Sequence, residues 1–198
     1  MNSSGAALLT NPHPCRHIVY PYTDEGLVGQ AVCLFASAGL RDGEGVILIM
    51  TSSHFEPILL RLCVEGFDCE AYQRSGQLVC LKTEELLEKF VVDGVLDESV
   101  FNATVGELIE QVRAKIGNGS DGSAGKIRVF GEMVSQLRNT NLTATTELEK
   151  LWNDIIRQHS VALLCTYALH HTNDHIPDAL VDLHSDSIER ESGATNKG

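Results

Sequence analysis

The residues with chemistry to offer in this chain are histidines, tyrosines and one carboxylate, set where apolar strands end. In KIRVFGEMVSQL, residues 126–137, Ile127, Val129 and Phe130 run into Gly131 and then present Glu132 where a helix begins. In an open α/β sheet, ligands bind at that edge, beyond the carboxyl ends of the strands. A carboxylate placed directly after a buried strand has to be solvated, paired or put to use. His17, Tyr20, Tyr22, Thr51, His54, Cys165, Tyr167 and His184 also fall at predicted strand ends. A parallel sheet gathers such ends, so His54, Glu132, Tyr167 and the residues after Tyr22 are expected to share one pocket. His17 reads equally well as a capping or core histidine, and Trp152, on the apolar face of its helix, reads as core.

Other chemistries lack their signatures. The turn after HIVYPY reads TDEGLVGQ, with neither GxxxxGK[ST] nor GxGxxG, and its Asp24 and Glu25 repel a phosphate. ATP hydrolysis by a phosphate loop is therefore not expected. The glycine-rich GNGSDGSAG of residues 117–125 has no motif lysine and precedes a strand, so it reads as a linker loop. No GxSxG elbow appears, and no cysteine stands in a nucleophile context. His159, His170, His171, His175 and His184 resemble a metal set, with His171 and His175 four residues apart. Asn173, Asp174 and Pro177 mark a loop there and no HExxH accompanies the pair, so solvated loop histidines are the reading. The expectation is a protein that is not an enzyme, with no metal and no cofactor.

The elements that must position these residues alternate. Strand patterns cover His17–Tyr22, where Pro21 is expected to end regular pairing, and 46–50, 77–81, 127–130 and 161–167. Helices are predicted from Asp24 to Gly39, over 56–65, from Thr83 to Asp93, over Glu98–Ile116, near 134–137, over 145–158 and in 177–184. Several strands are unbroken apolar runs such as VILIM, the mark of strands covered on both faces. The fold class is α/β, a three-layer α/β/α arrangement around a mostly parallel central sheet. One domain over residues 16–188 is expected, with a flexible lead-in at 1–15 and a disordered tail at 189–198.

Composition narrows the partners. The 198 residues carry a formal charge of −12, and no Lys/Arg cluster appears, which argues against nucleic acid or an anionic membrane. The six cysteines lack zinc-site or CxxC spacing, and several lie in apolar runs, so they read as buried free thiols in a reducing cytoplasm. Without a basic n-region or a long apolar stretch the chain is expected to be soluble and cytoplasmic.

Taken in order, HIVYPYTD, GLRDGEGVILIMTSSH (39–54), GQLVCL, RVFGEMV (128–134), LEKLWND (148–154), LLCTY (163–167) and LHS (183–185) resemble the MEDS domain, the methanogen and methylotroph sensory domain of prokaryotic signalling proteins. The resemblance spans nearly the whole ordered region. It implies a fold similar to the core of recombinase-type ATPases without their phosphate loop. It also implies a sensor of small molecules, hydrocarbon derivatives among them, that feeds a histidine kinase or a transcriptional regulator. His17, Tyr22, His54, Glu132, Met133, Trp152 and His184 are carried over as motif positions, and His17, Tyr22, His54, Glu132, Met133, Tyr167 and His184 are the candidate ligand contacts. Pro21 departs from the aromatic residue usual in the opening motif. No kinase, receiver or helix-turn-helix sequence follows, so the signal is expected to pass to another protein; a homo-oligomer is compatible with the sequence. The alternative is a degenerate recombinase-like nucleotide-binding protein or hydrolase, with Glu132 as general base or metal ligand.

Overall fold

The computed structural model describes residues 3–117, 125–138, 141–169 and 174–188. In chain order the elements are α1 (Ser3–Thr10), β1 (His17–Tyr22), α2 (Glu25–Arg41), β2 (Gly45–Met50), α3 (Ser52–Val64), α4 (Cys69–Ser75), β3 (Leu78–Lys82), α5 (Thr83–Phe90), β4 (Val91–Val92), β5 (Val95–Leu96), α6 (Glu98–Ile116), β6 (Ile127–Gly131), α7 (Met133–Arg138), α8 (Leu142–His159), β7 (Ala162–Ala168), α9 (Asp178–Val181) and β8 (Asp186–Ser187). The main sheet has the order β3-β2-β6-β7-β1-β8, and every ladder in it is parallel. Helices cover both faces, giving the expected three-layer α/β/α fold.

Strand alternation divides the core in two. Val19, Ile47, Ile49, Val129, Leu163 and Cys165 face α5, α6, α7 and α8, where Phe101 packs edge-on against Phe90 and Trp152 at 5.1 and 5.3 Å. Ile18, Tyr20, Val46, Leu48, Phe130 and Leu164 face α1, α2 and α3. Helix starts follow their side chains: Asp24 accepts the N–H groups of Gly26 and Leu27, Asp97 that of Val100 and Asn141 that of Ala144. The β4–β5 hairpin turns at Asp93 and Gly94, whose φ values of 52° and 76° suit a two-residue turn.

Two expectations are corrected. Part of the lead-in at 1–15 is the helix α1, with Leu9 fully buried against the core. Its anchor is Arg128, 1% exposed, which donates to the carbonyls of Leu9 (2.9 Å), Thr10 (3.0 Å) and Phe35 (3.3 Å) and pairs with Glu44. A buried cation at a helix C-terminus satisfies both the unpaired carbonyls and the dipole. Pro21 does not end pairing, since β1 stays in register with β7 through Tyr22. The carbonyls of His17 and Val19 face β8, and alternation turns the Pro21 nitrogen the same way, past the two residues that β8 pairs with β1. Three elements, α4, the β4–β5 hairpin and β8, lack a sequence pattern long enough to announce them. The expected tail at 189–198, most of the 117–125 loop, His170 and His171 lie outside the described residues.

Candidate functional site

The chain leaves β2 toward β3 on one side and β6 toward β7 on the other, so the switch point of the sheet falls between β2 and β6. Thr51 follows β2 and Glu132 follows β6, and the two meet there. One oxygen of Glu132 accepts the Thr51 N–H at 2.7 Å and its hydroxyl at 3.1 Å; the other accepts from His54 Nδ1 at 2.6 Å. The second ring nitrogen of His54 pairs with Glu25 at the head of α2. Next along α3, the Ser52 N–H and hydroxyl donate to Glu84 at 3.0 and 3.2 Å. The opening N–H groups of α3, which in a phosphate-binding fold hold an anion, are thus occupied by two of the protein's own carboxylates.

Electrostatics follow from this geometry. The hydrogen bond from Glu132, working against burial and with help from Glu25, raises His54 to about 9, so its ring is a cation that bridges two carboxylates. Tyr22, whose ring lies 6.3 Å from His54, is pushed up by burial and then by the charges of Glu132 and Glu25, so its phenol stays protonated. Met133, immediately after Glu132, is buried in the core of the opposite face. Beside His54 and Glu25 a groove of about 380 Å³ opens between α2 and α3, lined by Gly26, Gly29, Pro57, Ile58, Leu60 and Val64 together with Arg61. Leu60 and Val64 are 66% and 80% exposed.

His17, Tyr167 and His184 do not join this corner. They assemble in the interior on the α8 side, around Glu149, which is 0% exposed. His17 Nε2 lies 3.3 Å from a Glu149 oxygen and 3.3 Å from Cys165 Sγ, and His184 Nε2 lies 3.3 Å from the other Glu149 oxygen. The Tyr167 hydroxyl donates to Glu149, and the two imidazole rings approach to 4.0 Å between centroids. Burial alone would push the Glu149 carboxyl up; His17 and His184, when their rings are protonated toward it, hold it down to about 2. The Cys165 thiol is raised by burial and by the Glu149 charge. The expectation that Tyr167 shares a pocket with His54 and Glu132 is corrected, and the candidate contacts His17 and His184 lie with Tyr167. His17 opens β1 instead of ending it, and Tyr167 is directed inward to Glu149.

The family model described as MEthanogen/methylotroph, DcmR Sensory domain (MEDS) matches residues 16–185. The chain belongs to the MEDS family. The match contains both constellations, from His17 at the start of β1 to His184 after α9. No curated protein matches the chain significantly. A MEDS domain is a sensory domain, so its polar groups are to be judged by what they bind as well as by what they catalyse. The residues that sequence reasoning passed over are Glu149, Asn153, Glu25 and Glu84. Glu149 had a readable signal, since it interrupts the apolar stripe of Leu148, Trp152, Ile155 and Ile156 on α8. Glu25 and Glu84 had none, because acidic residues in a first helical turn are ordinary.

Proposed function

We propose that this MEDS domain senses a small, largely apolar molecule carrying one hydrogen-bonding group, bound in the groove between α2 and α3 with its polar end at His54 and Glu25. The observation that carries this reading is the adjacency of an apolar groove to a charged corner at the switch point of the sheet. The apolar walls supply affinity, and the His54–Glu25 pair supplies orientation. Because His54 also holds Glu132, and Glu132 holds the turn from β2 into α3, a ligand that competes for His54 loosens a contact shared by β2, β6 and two helices. A signal needs such a difference in binding between two arrangements. The signal passes to a histidine kinase or transcriptional regulator in a prokaryotic cytoplasm, as the family resemblance implies. Against nucleotide binding stands the occupation of the α3 N-terminus by Glu132 and Glu84, which repel a phosphate.

The test is a thermal-shift and calorimetric screen of short-chain alcohols, amines, aldehydes and halogenated hydrocarbons, run beside ATP with magnesium. The control is Gly29→Phe: a Cβ at Gly29 meets nothing within 4 Å, so the variant fills the groove without disturbing the core. Stabilisation by a member of the panel that disappears in Gly29→Phe supports the reading. Stabilisation by ATP alone, or a response indifferent to Gly29→Phe, overturns it.

A further inference from the structure

The interior cluster presents a problem of proton placement that a cation solves. His184 Nδ1 lies 2.8 Å from the Leu180 carbonyl, which only accepts, so Nδ1 carries a hydrogen. Asn153 donates its Nδ2 to the Leu183 carbonyl at 2.9 Å, which turns its Oδ1 toward His17 Nδ1 at 3.0 Å and makes that nitrogen a donor as well. In their neutral forms both rings therefore direct Nε2 lone pairs at Glu149 and Cys165. His184 Nε2 is buried and has no hydrogen-bond partner, although a carboxylate oxygen lies 3.3 Å away. Lone pairs facing a buried carboxylate repel. One imidazolium balances Glu149 but leaves the other ring's lone pair directed at the carboxylate, and two leave an excess positive charge in a site with no solvent.

We propose that His17, Glu149, Cys165 and His184 form a closed, tetrahedral site for a zinc-like divalent metal ion. The four ligand atoms lie within 4.8 Å of one another. His17 Nε2 lies 3.3 Å from Cys165 Sγ and 3.3 Å from one Glu149 oxygen, and Cys165 Sγ lies 3.9 Å from that same oxygen, three edges close to those of a tetrahedron; His184 Nε2 lies 3.3 Å from the other oxygen of the same carboxylate. Metal–nitrogen and metal–sulfur bonds of about 2.1 and 2.3 Å place ligands about 3.3–3.8 Å apart. The charges also balance: a divalent ion with one thiolate, one carboxylate and two neutral imidazoles is neutral overall, which suits complete burial. The bonds from His17 to Asn153 and from His184 to Leu180 are the outer contacts that orient metal-binding imidazoles, and the Tyr167 hydroxyl does the same for Glu149. On binding, the Cys165 thiol loses its proton to solvent and sulfur becomes a ligand. With four protein ligands and no open position, the ion joins β1, β7, α8 and the segment after α9; it is placed there during folding.

The test uses the full chain, unfolded, stripped with a chelator and refolded with or without zinc or cobalt(II), in a background where the exposed Cys15 and Cys63 are serine. The expected results are one zinc retained per chain by mass spectrometry, a higher Tm than the metal-free form, and for cobalt a tetrahedral visible spectrum with a thiolate charge-transfer band. Cys165→Ser is expected to lose that band, and His184→Ala to lose the metal, while the exposed His175→Ala retains both. Should either ligand variant fail to fold, the cobalt spectrum and stoichiometry of the parent chain decide the question. A parent chain that refolds to the same Tm without metal and retains neither ion, or a thiolate band that survives Cys165→Ser, overturns the proposal. Both readouts are independent of the groove between α2 and α3.

Discussion

Replacing Glu132 by glutamine isolates the charge at the switch point while keeping its shape. The carboxylate accepts three bonds, from the Thr51 N–H at 2.7 Å, the Thr51 hydroxyl at 3.1 Å and His54 Nδ1 at 2.6 Å. Glutamine retains an oxygen for Thr51 but offers no charge to the His54 ring. A hydrogen bond to a charged group contributes about 1.5–3 kcal/mol, against about 1 kcal/mol for a neutral one. His54 keeps Glu25 as a partner, so the loss is placed at about 2 kcal/mol. For a chain of this length that lowers Tm by about 4–8 °C. The pH dependence carries the sharper test. His54 is raised to about 9 in the folded protein by the Glu132 bond and, less, by Glu25, against an ordinary value of about 6.5. A group whose folded pKa is raised contributes stability that is complete below about pH 6.5 and lost as pH climbs toward 9. Urea denaturation of the parent chain between pH 6 and 10 should show that decline, and Glu132→Gln should flatten most of it with an unchanged m-value. Equal stability of the two proteins at pH 6, or the same slope in both, would refute the charge bridge.

Three further substitutions probe what holds the site in place. Arg128→Met leaves Glu44 and the Leu9 and Thr10 carbonyls without their buried cation, for a loss of about 3–5 kcal/mol in urea denaturation and early amide exchange across α1. Gly45→Ala puts a Cβ 2.5 Å from Val112 Cγ1 where β2 begins under α6, and is expected to cost about 1–3 kcal/mol by the same assay. Phe101→Ala removes the ring between Phe90 and Trp152, with an expected loss of about 3–5 kcal/mol and a changed Trp152 emission in the folded state.

The sheet was legible because its strands are apolar on both faces and its helices carry regular stripes: β1 and α6 have the bounds that the sequence suggests. Short elements were not, since β8 pairs only two residues with β1, and α1 carries few signals beyond Leu9, whose burial depends on Arg128 from a distant strand. For the site, the Glu132 corner was readable from one fact, an acid directly after a buried strand. Its union with His54 and Tyr22 follows from all their strands ending on one edge. The other candidates went astray because a position at a strand end does not say which face the side chain takes or what packs on it. His17 lies at the opening of β1, and its partners Glu149, Asn153 and His184 come from α8 and the segments near α9. Contacts of such separation depend on how α8 lies across β1 and β7, which no local pattern encodes.

The charges around the α2–α3 groove imply which ligands it rejects. Glu25, Glu132 and Glu84 bring three carboxylates to the corner, against one cationic ring on His54. Arg61, about two turns further along α3, is paired with Glu65. A ligand carboxylate or phosphate at His54 would therefore displace Glu25 and face Glu132 across the imidazole ring, and like charges about 7 Å apart at an effective dielectric near 20 repel by about 2.4 kcal/mol. That is roughly fiftyfold in affinity. A neutral alcohol or aldehyde suffers no such repulsion: either accepts from His54 in competition with the carboxylates, and an alcohol also donates to Glu25. Within the calorimetric panel, a binding alcohol and the carboxylic acid of the same carbon skeleton should differ by about tenfold or more at pH 7, and the gap should narrow in Glu132→Gln. An acid that binds as tightly as its alcohol would mean that the polar end of the ligand lies elsewhere along the groove.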